Sequence, residues 1–459
     1  MSGLFGLLGM SARALDAQRF GLDVTGQNVA NVNTPGYTRR VIDLGAVPPV
    51  DPRTGAGEGV EVLGVRSQRE QLFDRRLYRE LPLEQREAGI FESLQIVEAG
   101  LGEAGSSLDA SLTRFFDSWA SLADTPTSGT ARAQVIAEGQ SLSSTFRNLA
   151  TRLDDSSLDV DRKVRSAVEE INSLASQIAS LNQKITAAGG ESALHLRDEQ
   201  TEALKKLAGF VDIQPVYDPD GTVQVSFGLG HPLVIGQTAY TVGITNAPTT
   251  GFARITSQGV DVTSEVKSGR LGGLLHTRDT LLPDYNNRLD ALAYEVVQRV
   301  NTVHDAGYTL GGVDAPPFFQ ALGSVTDAAS LIALDTTVAG NPSLVAAGGV
   351  AGTPGDNQAA RSLANLRDAK VLAGNTATFG DAWSQLVYRV GQDAHAAQLE
   401  QDSRGEVVRQ IENLRDSISG VSLDEEAAAM MRFQRAYEAN ARFFGVVNEA
   451  LDVLLNLGR

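Results

Sequence analysis

The residue types that most often bind metals or catalyse reactions are few and scattered in this sequence. The histidines are scattered singly, and no two of them stand at the i,i+4 or similar spacing that places two imidazoles on one metal ion. The five histidines are His195, His231, His276, His304 and His395. The sequence contains no cysteine, which excludes disulfides and thiolate ligands. We therefore predict no metal site and no cofactor.

Loop motifs that bind phosphate or carry a nucleophile are also absent from the sequence. The run Gly228-Leu229-Gly230-His231 lacks the third glycine and the following helix of a dinucleotide-binding loop, and we interpret it as a bend after a strand. No Gly-x-Ser-x-Gly nucleophile elbow occurs. Carboxylate pairs such as Asp154-Asp155 and Glu169-Glu170 lie on predicted solvated helix faces. The prediction is a protein that is not an enzyme and has no catalytic residues.

The composition describes an acidic protein with room for two or three hydrophobic cores, since 42% of its 459 residues are hydrophobic. Its 39 Lys and Arg against 56 Asp and Glu leave a net charge of −17, which would repel nucleic-acid phosphates. The start lacks the basic region of a cleaved signal, and no stretch approaches the roughly 18 apolar residues that span a bilayer. We expect no nucleic-acid binding, no membrane insertion, and a soluble chain or one exported without a cleaved signal.

Heptad spacing at both ends of the chain predicts amphipathic helices. The N-terminal seam consists of Leu8, Leu15, Leu22 and Val29, and the C-terminal seam of Met430, Tyr437, Phe444 and Leu451. The companion heptad positions are largely polar, so each helix needs a partner to be stable. An intramolecular helix pair and helices that order only when subunits stack are equally compatible with this pattern.

Two short signals mark where the terminal helices stop and start. Pro35-Gly36 supplies the central residues of a turn after the first helix. Near the other end, Ser422 and Glu425 form a capping-box pattern, in which Ser422 would accept from the Glu425 amide and Glu425 would reach back. The C-terminal helix is therefore predicted to begin at Ser422, after a break at Gly420.

The interior combines a long helix with a small β region. Four unbroken heptads from Val160 to Ile185 predict a helix on the order of 40 Å long. A period of two between Val211 and Thr263 predicts a β-rich insertion. The Gly-, Ala- and Pro-rich stretch from Val313 to Asn357 has no sustained period and is predicted to be irregular. The predicted class is mainly α, a long-helix bundle with terminal coiled-coil helices and an inserted small β-rich domain.

These patterns divide the chain into seven predicted segments. They are the N-terminal helix and turn (1–45), the first part of a helical bundle (46–208), an outer β-rich domain (209–270), a returning bundle segment (271–312), the irregular segment (313–360), the last part of the bundle (361–421) and the C-terminal helix (422–459).

The segment between the first helix and its turn resembles a motif found near the N-terminus of flagellar rod, hook and hook-associated proteins, Asn-x-Ala-Asn-x-x-Thr-x-Gly-aromatic. The matching residues are Asn28, Ala30, Asn31, Thr34, Gly36 and Tyr37, with Pro35 inside the turn. The run from Ser419 to Ala428, followed by Arg432 to Tyr437, resembles the C-terminus of the same axial proteins.

The interior resembles one group among these axial proteins, the hook-associated protein 1 (FlgK) family. The segments that carry this resemblance are Glu170 to Leu174, Ile178 to Asn182, Leu271 to Leu275, Tyr285 to Ala293 and Val300 to His304. It covers nearly the whole chain and is weakest from Val313 to Asn357, where this sequence is shorter than larger family members.

The resemblance implies a structural subunit that is exported unfolded through the flagellar type III channel and joins the hook to the filament. It implies an inner layer of terminal helices, a helical domain around it and a β-rich domain facing outward. The turn motif would shape the exit from the inner helix, and the two seams would make contacts between subunits. The implied partners are copies of itself in a helical ring, the hook protein, the second hook-associated protein, and an export chaperone at the C-terminal region.

There are two alternatives to this interpretation, one structural and one enzymatic. Another axial subunit, such as a hook or distal-rod protein, shares the N-terminal motif, although the long heptad helix argues against it. A cell-wall hydrolase on an axial scaffold would need two carboxylates converging in a cleft of an added domain, and the sequence shows no such domain. Flagellin is disfavoured because the N-terminal motif is not a flagellin feature.

Overall fold

The computed structural model describes residues 2–48, 58–101 and 108–457. The first part of the chain contains long helices and one β-hairpin. Its elements are α1 (Ser2–Ala30), β1 (Arg40–Ala46), β2 (Val60–Ser67), α2 (Gln71–Leu101), α3 (Leu108–Asp124), α4 (Gly129–Ala188), a 3₁₀ turn (Gly190–Ala193) and α5 (Leu194–Phe210).

Two small antiparallel sheets follow. The first pairs β3 (Ile213–Tyr217), β4 (Val223–Phe227), β5 (His231–Ile235) and β6 (Thr238–Ala239) in chain order, and the second pairs β7 (Val242–Asn246), β8 (Ala253–Ser257) and β9 (Val260–Asp261). All these strands lie between residues 213 and 261, in the stretch where the sequence has a period of two.

The rest of the chain returns to helices. A 3₁₀ turn (Thr263–Glu265) precedes α6 (Gly269–His276), which continues through a π-helical turn (Thr277–Leu281) into α7 (Leu282–Asp305). The remaining elements are α8 (Ala328–Leu331), α9 (Thr336–Gly340), a 3₁₀ turn (Pro342–Leu344), α10 (Gln358–Asn365), α11 (Phe379–Ser419) and α12 (Leu423–Leu457). The predicted mainly α class, with long helices and a small antiparallel sheet region, is confirmed.

The long helix is longer than the heptads predicted. α4 has 60 residues, which corresponds to about 90 Å, and the heptads from Val160 to Ile185 cover only its C-terminal half. It begins at Ser128, whose hydroxyl accepts a hydrogen bond from the Ala131 amide at 3.2 Å. The heptad residues are buried along their whole length: Val160, Val164, Ala167, Ile171, Leu174, Ile178, Leu181 and Ile185.

The hairpin of β1 and β2 was not predicted. It lies in residues 40–67, which the sequence analysis divided between the N-terminal turn and the start of the bundle. The strands pair in antiparallel register from Arg40 opposite Ser67 to Ala46 opposite Val60, with a bulge between Asp43 and Leu44. The glycines and prolines of this stretch hid its alternation, because they are typical of loops.

Two asparagines on α4 hold the β region in place. Asn182 donates from Nδ2 to the Val223 carbonyl at 2.8 Å and accepts from the Val223 amide at 3.1 Å. Asn172 binds Val242 in the same way, with distances of 2.9 and 2.8 Å. Each amide side chain thus pairs with one strand residue much as a neighbouring backbone would, which satisfies the backbone groups of Val223 and Val242 against the helix.

A buried ion pair fastens the second sheet to α4. Arg278, in the π-helical turn, lies 2.6 Å from Asp161 on α4, and both side chains are buried. The same carboxylate accepts from the Ala253 amide of β8 at 2.7 Å, and Arg278 donates to the Ala253 carbonyl at 2.9 Å. Burial alone would raise the pKa of Asp161, but the hydrogen bonds from Ala253, Arg165 and Arg278 outweigh it and the pKa is lowered.

The segment predicted to be irregular packs into the core beside the start of α4. Phe318 and Phe319 are fully buried and meet Phe115 and Trp119 of α3 at ring-centroid distances of 5.3 to 5.9 Å. His304 at the end of α7 anchors this segment at two points. Its Nδ1 donates to the Pro316 carbonyl at 2.8 Å, and its Nε2 accepts from the Ala346 amide at 2.9 Å.

Acid should destabilise the fold through His304. Burial, with a smaller contribution from the charge of Arg132, lowers the pKa of His304 from 6.5 to about 4. Since the folded pKa is the lower one, the neutral ring stabilises the fold above about pH 6.5, and this contribution is lost as the pH falls toward 4. Linkage gives a loss of roughly 2 kcal/mol between neutral pH and pH 5.

Urea unfolding of the wild type and of His304→Gln between pH 5 and pH 7 tests this expectation. The variant has no titrating ring at this position, so its free energy of unfolding should fall less between these two pH values. An equal pH dependence in both proteins would show that His304 does not account for the acid sensitivity.

Candidate functional site

Helices α1 and α12 form an antiparallel pair within one chain. Asn28 near the end of α1 lies beside Glu426 near the start of α12, while Gly21 lies beside Phe433. A Cβ at Gly21 would stand 2.6 Å from the Phe433 ring, so the absence of a side chain permits this close approach. Ordering of the two helices only when subunits stack stays a prediction.

The contact line on α1 runs beside the predicted N-terminal seam. Small and medium side chains are buried here, because they let the two backbones approach: Ala17, Gly21, Val24, Thr25 and Asn28. The predicted seam residues are half-buried beside this line: Leu8, Leu15, Leu22 and Val29. The predicted seam consists of large apolar side chains, whereas α1 and α12 approach each other most closely at smaller residues.

The predicted C-terminal seam is also only partly buried. Leu451 is buried, Met430 and Phe444 are half-buried, and Tyr437 is exposed. Glu426, Ala429 and Val447 complete the buried line on α12. Contacts of these seams between subunits stay a prediction.

Asn28 is the centre of the turn that follows α1. Its side chain is 1% exposed and uses all its hydrogen-bonding positions. The Nδ2 atom donates to the Arg40 carbonyl at 2.9 Å and to Glu426 Oε2 at 3.0 Å. The Oδ1 atom accepts from the Tyr37 hydroxyl at 2.9 Å and from the Arg40 amide at 3.0 Å. Only a side chain that both donates and accepts satisfies this arrangement, so aspartate or leucine would not replace it.

Arg39 ties the turn to the start of α12. Its Nε donates to Glu426 Oε1 and its Nη1 to Glu425 Oε2, both at 2.7 Å. Its backbone amide also donates to the Ser419 carbonyl at the end of α11, at 2.9 Å. The Glu426 side chain is 2% exposed, and its charge is compensated by Arg39 and Asn28. One arginine therefore connects the exit of α1 to both sides of the break between α11 and α12.

Tyr37, Thr38 and Arg40 connect the same turn to α5. The Arg40 guanidinium lies over the Tyr37 ring, 5.0 Å from its centroid, and 3.7 Å from Asp198. Thr38 Oγ1 donates to Asp198 Oδ1 at 2.8 Å. Burial raises the pKa of Tyr37, and it also raises the pKa of Asp198 even though the Thr38 hydrogen bond and the Arg40 charge act in the opposite direction.

The other motif residues shape the turn itself. Ala30 is the last residue of α1, Asn31 Nδ2 donates to the Gln27 carbonyl at 2.9 Å, and Thr34 Oγ1 donates to Asn31 Oδ1 at 3.2 Å. Pro35 follows on the surface. Gly36 has φ of +78°, where a side chain is strained, and a Cβ there would also meet the Glu202 side chain.

The predicted capping box at the start of α12 is not formed. The Ser422 carbonyl accepts the first helical hydrogen bond, from the Glu426 amide at 2.9 Å, which places Ser422 at the N-cap position. The Glu425 carboxylate binds Arg39 instead of reaching back, and among the described hydrogen bonds of residues 415–457 none reaches the Ser422 hydroxyl. A guanidinium is a stronger donor to a carboxylate than a backbone amide, which explains the preference.

Four charged residues of this site were missed by the sequence analysis: Arg39, Arg40, Asp198 and Glu426. The signal was present as two arginines, which follow the motif after Thr38, and two glutamates early in the last helix. Opposite charges attract, but the sequence does not show which acidic residue each arginine meets. We call the network around Asn28, Arg39 and Glu426 the terminal lock.

The terminal lock is suited to holding three elements together. Within it, the Asn28 amide, the Arg39 guanidinium and the Glu426 carboxylate bind one another or neighbouring backbone groups. In residues 2–48, 58–101 and 108–457, no group of three or more His, Asp or Glu side chains is placed to hold a metal ion. The same ranges contain no helix that is both long and apolar enough to cross a membrane.

Beside its buried line, α12 carries exposed apolar residues. Phe443, Val446, Val453 and Leu454 recur at helical spacing, and between 40% and 64% of their surface is exposed. Such a strip on one helix face is typical of a surface that contacts another protein.

Family models match three parts of the chain. The model described as flagellar hook-associated protein FlgK helical domain matches residues 94–319. The model described as flagella basal body rod protein matches residues 8–38, and the one described as flagellar basal body rod FlgEFG protein C-terminal matches residues 415–457. The two rod-type matches contain Asn28, Arg435 and most of the paired terminal helices.

Curated relatives match over nearly their whole length. The flagellar hook-associated protein 1 of Bacillus subtilis is 28% identical, covering 99% of both chains, and that of Escherichia coli is 25% identical, covering 98% of this chain and 99% of its own. The alignments extend over 502 and 544 positions, more than the 459 residues here, so both relatives carry residues that this chain lacks.

The fold is also similar to a solved structure. The flagellar hook junction protein FlgK from Burkholderia pseudomallei superposes with a TM-score of 0.66 at 16% identity, over 75% of this chain and all of that one. The helical-domain match, the full-length relatives and this shared fold agree with one another. In sequence and in fold, the chain is therefore similar to the flagellar hook-associated protein 1 family.

Proposed function

We propose that this protein is a structural subunit of the bacterial flagellum that joins the hook to the filament. The observation that carries the proposal is the terminal lock, which uses the axial motif around Asn28 to join both chain ends in one rod-like pair. The full-length likeness to hook-associated proteins 1 supports the same place in the flagellum. The family is structural, and the proposal assigns this chain no catalytic step.

The paired termini are proposed to form the axial inner layer. α1 and α12 bury their contact line against each other, while the half-buried leucines of α1 and the apolar strip of α12 remain available for neighbouring subunits. A helix pair with apolar side chains on its outer faces gains stability when further copies cover them. The helical and β-rich parts would then lie outside this layer.

The partners proposed for the chain follow from that position. They are other copies of itself in a helical ring, the hook protein below, the second hook-associated protein above, and before assembly an export chaperone at the C-terminal region. Export through the type III channel before assembly is part of the same proposal. The exposed apolar residues of α12 form the surface that the chaperone would cover in the cytoplasm.

Another axial subunit is the second candidate, and the rod-type matches at both chain ends favour it over any enzyme. Electron microscopy of cells that lack this gene separates the two. Completed hooks without filaments are expected for the junction role, and a version ending at Gly420 should fail to restore filaments because it lacks α12. Missing or aberrant hooks would instead identify a hook or rod subunit, and normal filaments would refute both assignments.

A single exposed residue tests the apolar strip without unfolding the protein. Val446→Asp changes a side chain that is 64% exposed, so the free energy of unfolding should change by no more than about 0.5 kcal/mol. Filament attachment should nevertheless be lost, because a carboxylate would be buried against a neighbouring subunit. Cells that carry the variant are scored for filaments by electron microscopy.

The matched control for this prediction is Val216→Asp in β3, since Val216 is 59% exposed but belongs to the β region. Filaments should form normally with this variant. Equal filament counts for Val446→Asp and the wild type would mean that the apolar strip does not contact another subunit.

A further inference from the structure

Arg132 is a buried cation that lacks an acidic partner. Its side chain lies near the N-terminal end of α4 and is 1% exposed. The guanidinium donates to two backbone carbonyls, from Nη1 to Val345 and from Nη2 to Pro126 at 2.7 Å. No carboxylate of the described ranges lies within 4.0 Å of it, and its Nε has no hydrogen-bond partner there. A buried charge usually has a counter-ion, so this arrangement is incomplete as it stands.

Arg132 lies where the dipole of α4 is also positive. The N-terminus of a long helix carries a partial positive charge of its own, and Arg132 lies within the first turns of α4. Burial lowers the pKa of Arg132, which reflects the free-energy cost of keeping the charge there. Asp356, an acidic residue close in sequence to the cavity-lining loop 348–354, is turned to the amides of Gly349 and Val350 at 2.6 and 2.9 Å.

A cavity adjoins this guanidinium. It has a volume of about 260 Å³ and is lined by Arg132 and by two glycine-rich loops, residues 308–312 and 348–354. Since a water molecule occupies about 30 Å³ in the liquid, the space is large enough for a small anion with some water. The loops bring backbone close to the guanidinium because glycines such as Gly312 and Gly352, both at positive φ, present no side chain.

A second polar group in the same wall lacks a partner. Thr309 is 6% exposed, and in the part of the chain that the structure describes its Oγ1 atom makes no hydrogen bond. A buried hydroxyl without a partner is uncommon in folded proteins. Arg132 and Thr309 thus each carry a donor without a partner among the described residues, and both residues line one cavity, from two separate elements.

We propose that this cavity binds a small oxyanion, such as phosphate, sulfate or a carboxylate, through the Arg132 guanidinium and the Thr309 hydroxyl. Oxyanions accept hydrogen bonds from both groups and compensate the buried charge. A bound anion would join the start of α4 to the two loops. The site is independent of the terminal lock and of the proposed junction role.

Isothermal titration of the full chain with sodium phosphate, sodium sulfate and sodium acetate, at constant ionic strength, tests the proposal. Saturable binding of at least one anion is expected, and the acetate titration distinguishes a carboxylate from a free tetrahedral anion. Thr309→Val keeps the shape of the side chain and should weaken binding about fivefold, the effect of one hydrogen bond. Since the hydroxyl has no described protein partner, this variant should fold normally.

Two further variants complete the experiment. Arg132→Gln should abolish anion binding. If the Arg132→Gln variant does not fold, the affinity of Thr309→Val still decides the test. Arg147→Gln is the matched control, because Arg147 also projects from α4 and donates to a backbone carbonyl, that of Ile332 at 2.9 Å, but does not line the cavity. It should bind like the wild type. Equal affinities for the wild type and Thr309→Val, or no saturable binding of any of the three anions to the wild type, would overturn the proposal.

Discussion

Asn28→Ala should lower the free energy needed to separate the paired terminal helices by about 3 kcal/mol, because the change removes every hydrogen bond of the buried Asn28 side chain. The Tyr37 hydroxyl, both backbone groups of Arg40 and one oxygen of Glu426 would lose a partner at once. Amide hydrogen exchange of α1 and α12, with limited proteolysis, measures the opening. The amides of both helices should exchange about 100-fold faster than in the wild type.

The same variant should fail in assembly. If the pair of terminal helices is the unit that packs in the axial layer, cells with Asn28→Ala should complete hooks but carry few filaments. Asn31→Ala is the matched control from the same motif. Its side chain is bound only within its own turn, to the Gln27 carbonyl and the Thr34 hydroxyl, so exchange and filament number should stay near wild-type values. Identical behaviour of the two variants would argue against the terminal lock.

Asp161→Ala should destabilise the whole fold by about 3 to 4 kcal/mol. The change leaves Arg278 buried with only the half-exposed Asp279 as a partner, and it removes the acceptor of the Ala253 amide. Breaking a buried ion pair on one side costs about 3 to 5 kcal/mol because an uncompensated charge stays inside. Urea unfolding monitored by circular dichroism measures the loss, and the β region is expected to separate from α4 first.

Asp159→Asn on the same helix provides the comparison for Asp161→Ala. Asp159 pairs with Arg162 on the surface, where ion pairs contribute between about 0 and 1 kcal/mol. Its unfolding midpoint should be nearly that of the wild type. A loss of less than about 1 kcal/mol in Asp161→Ala would mean that water solvates Arg278 in the variant, and that the pair is not what fastens the second sheet.

The helices and strands that were predicted correctly have a strong local period. The heptads from Val160 to Ile185 and the alternation between residues 211 and 263 each repeat a signal of a few residues, so neighbouring positions support the same conclusion. The hairpin of β1 and β2 and the short elements between residues 313 and 357 lack such a period. Glycine, alanine and proline are frequent in both stretches. Between residues 313 and 357, burial of Phe318 and Phe319 against α3 decides the conformation.

By itself the sequence determined the mainly α class, the position of the β region and the motif around Asn28, because helix and strand periods and turn residues act over short distances along the chain. Only the tertiary structure decided which residues the motif meets. Asn28 and Glu426 are 398 positions apart, and Arg39 and Glu426 are 387 apart. The chain contains 39 basic and 56 acidic residues, so charge alone allows many pairings. The packing of α1, α5, α11 and α12 around one turn selects the pairs that form.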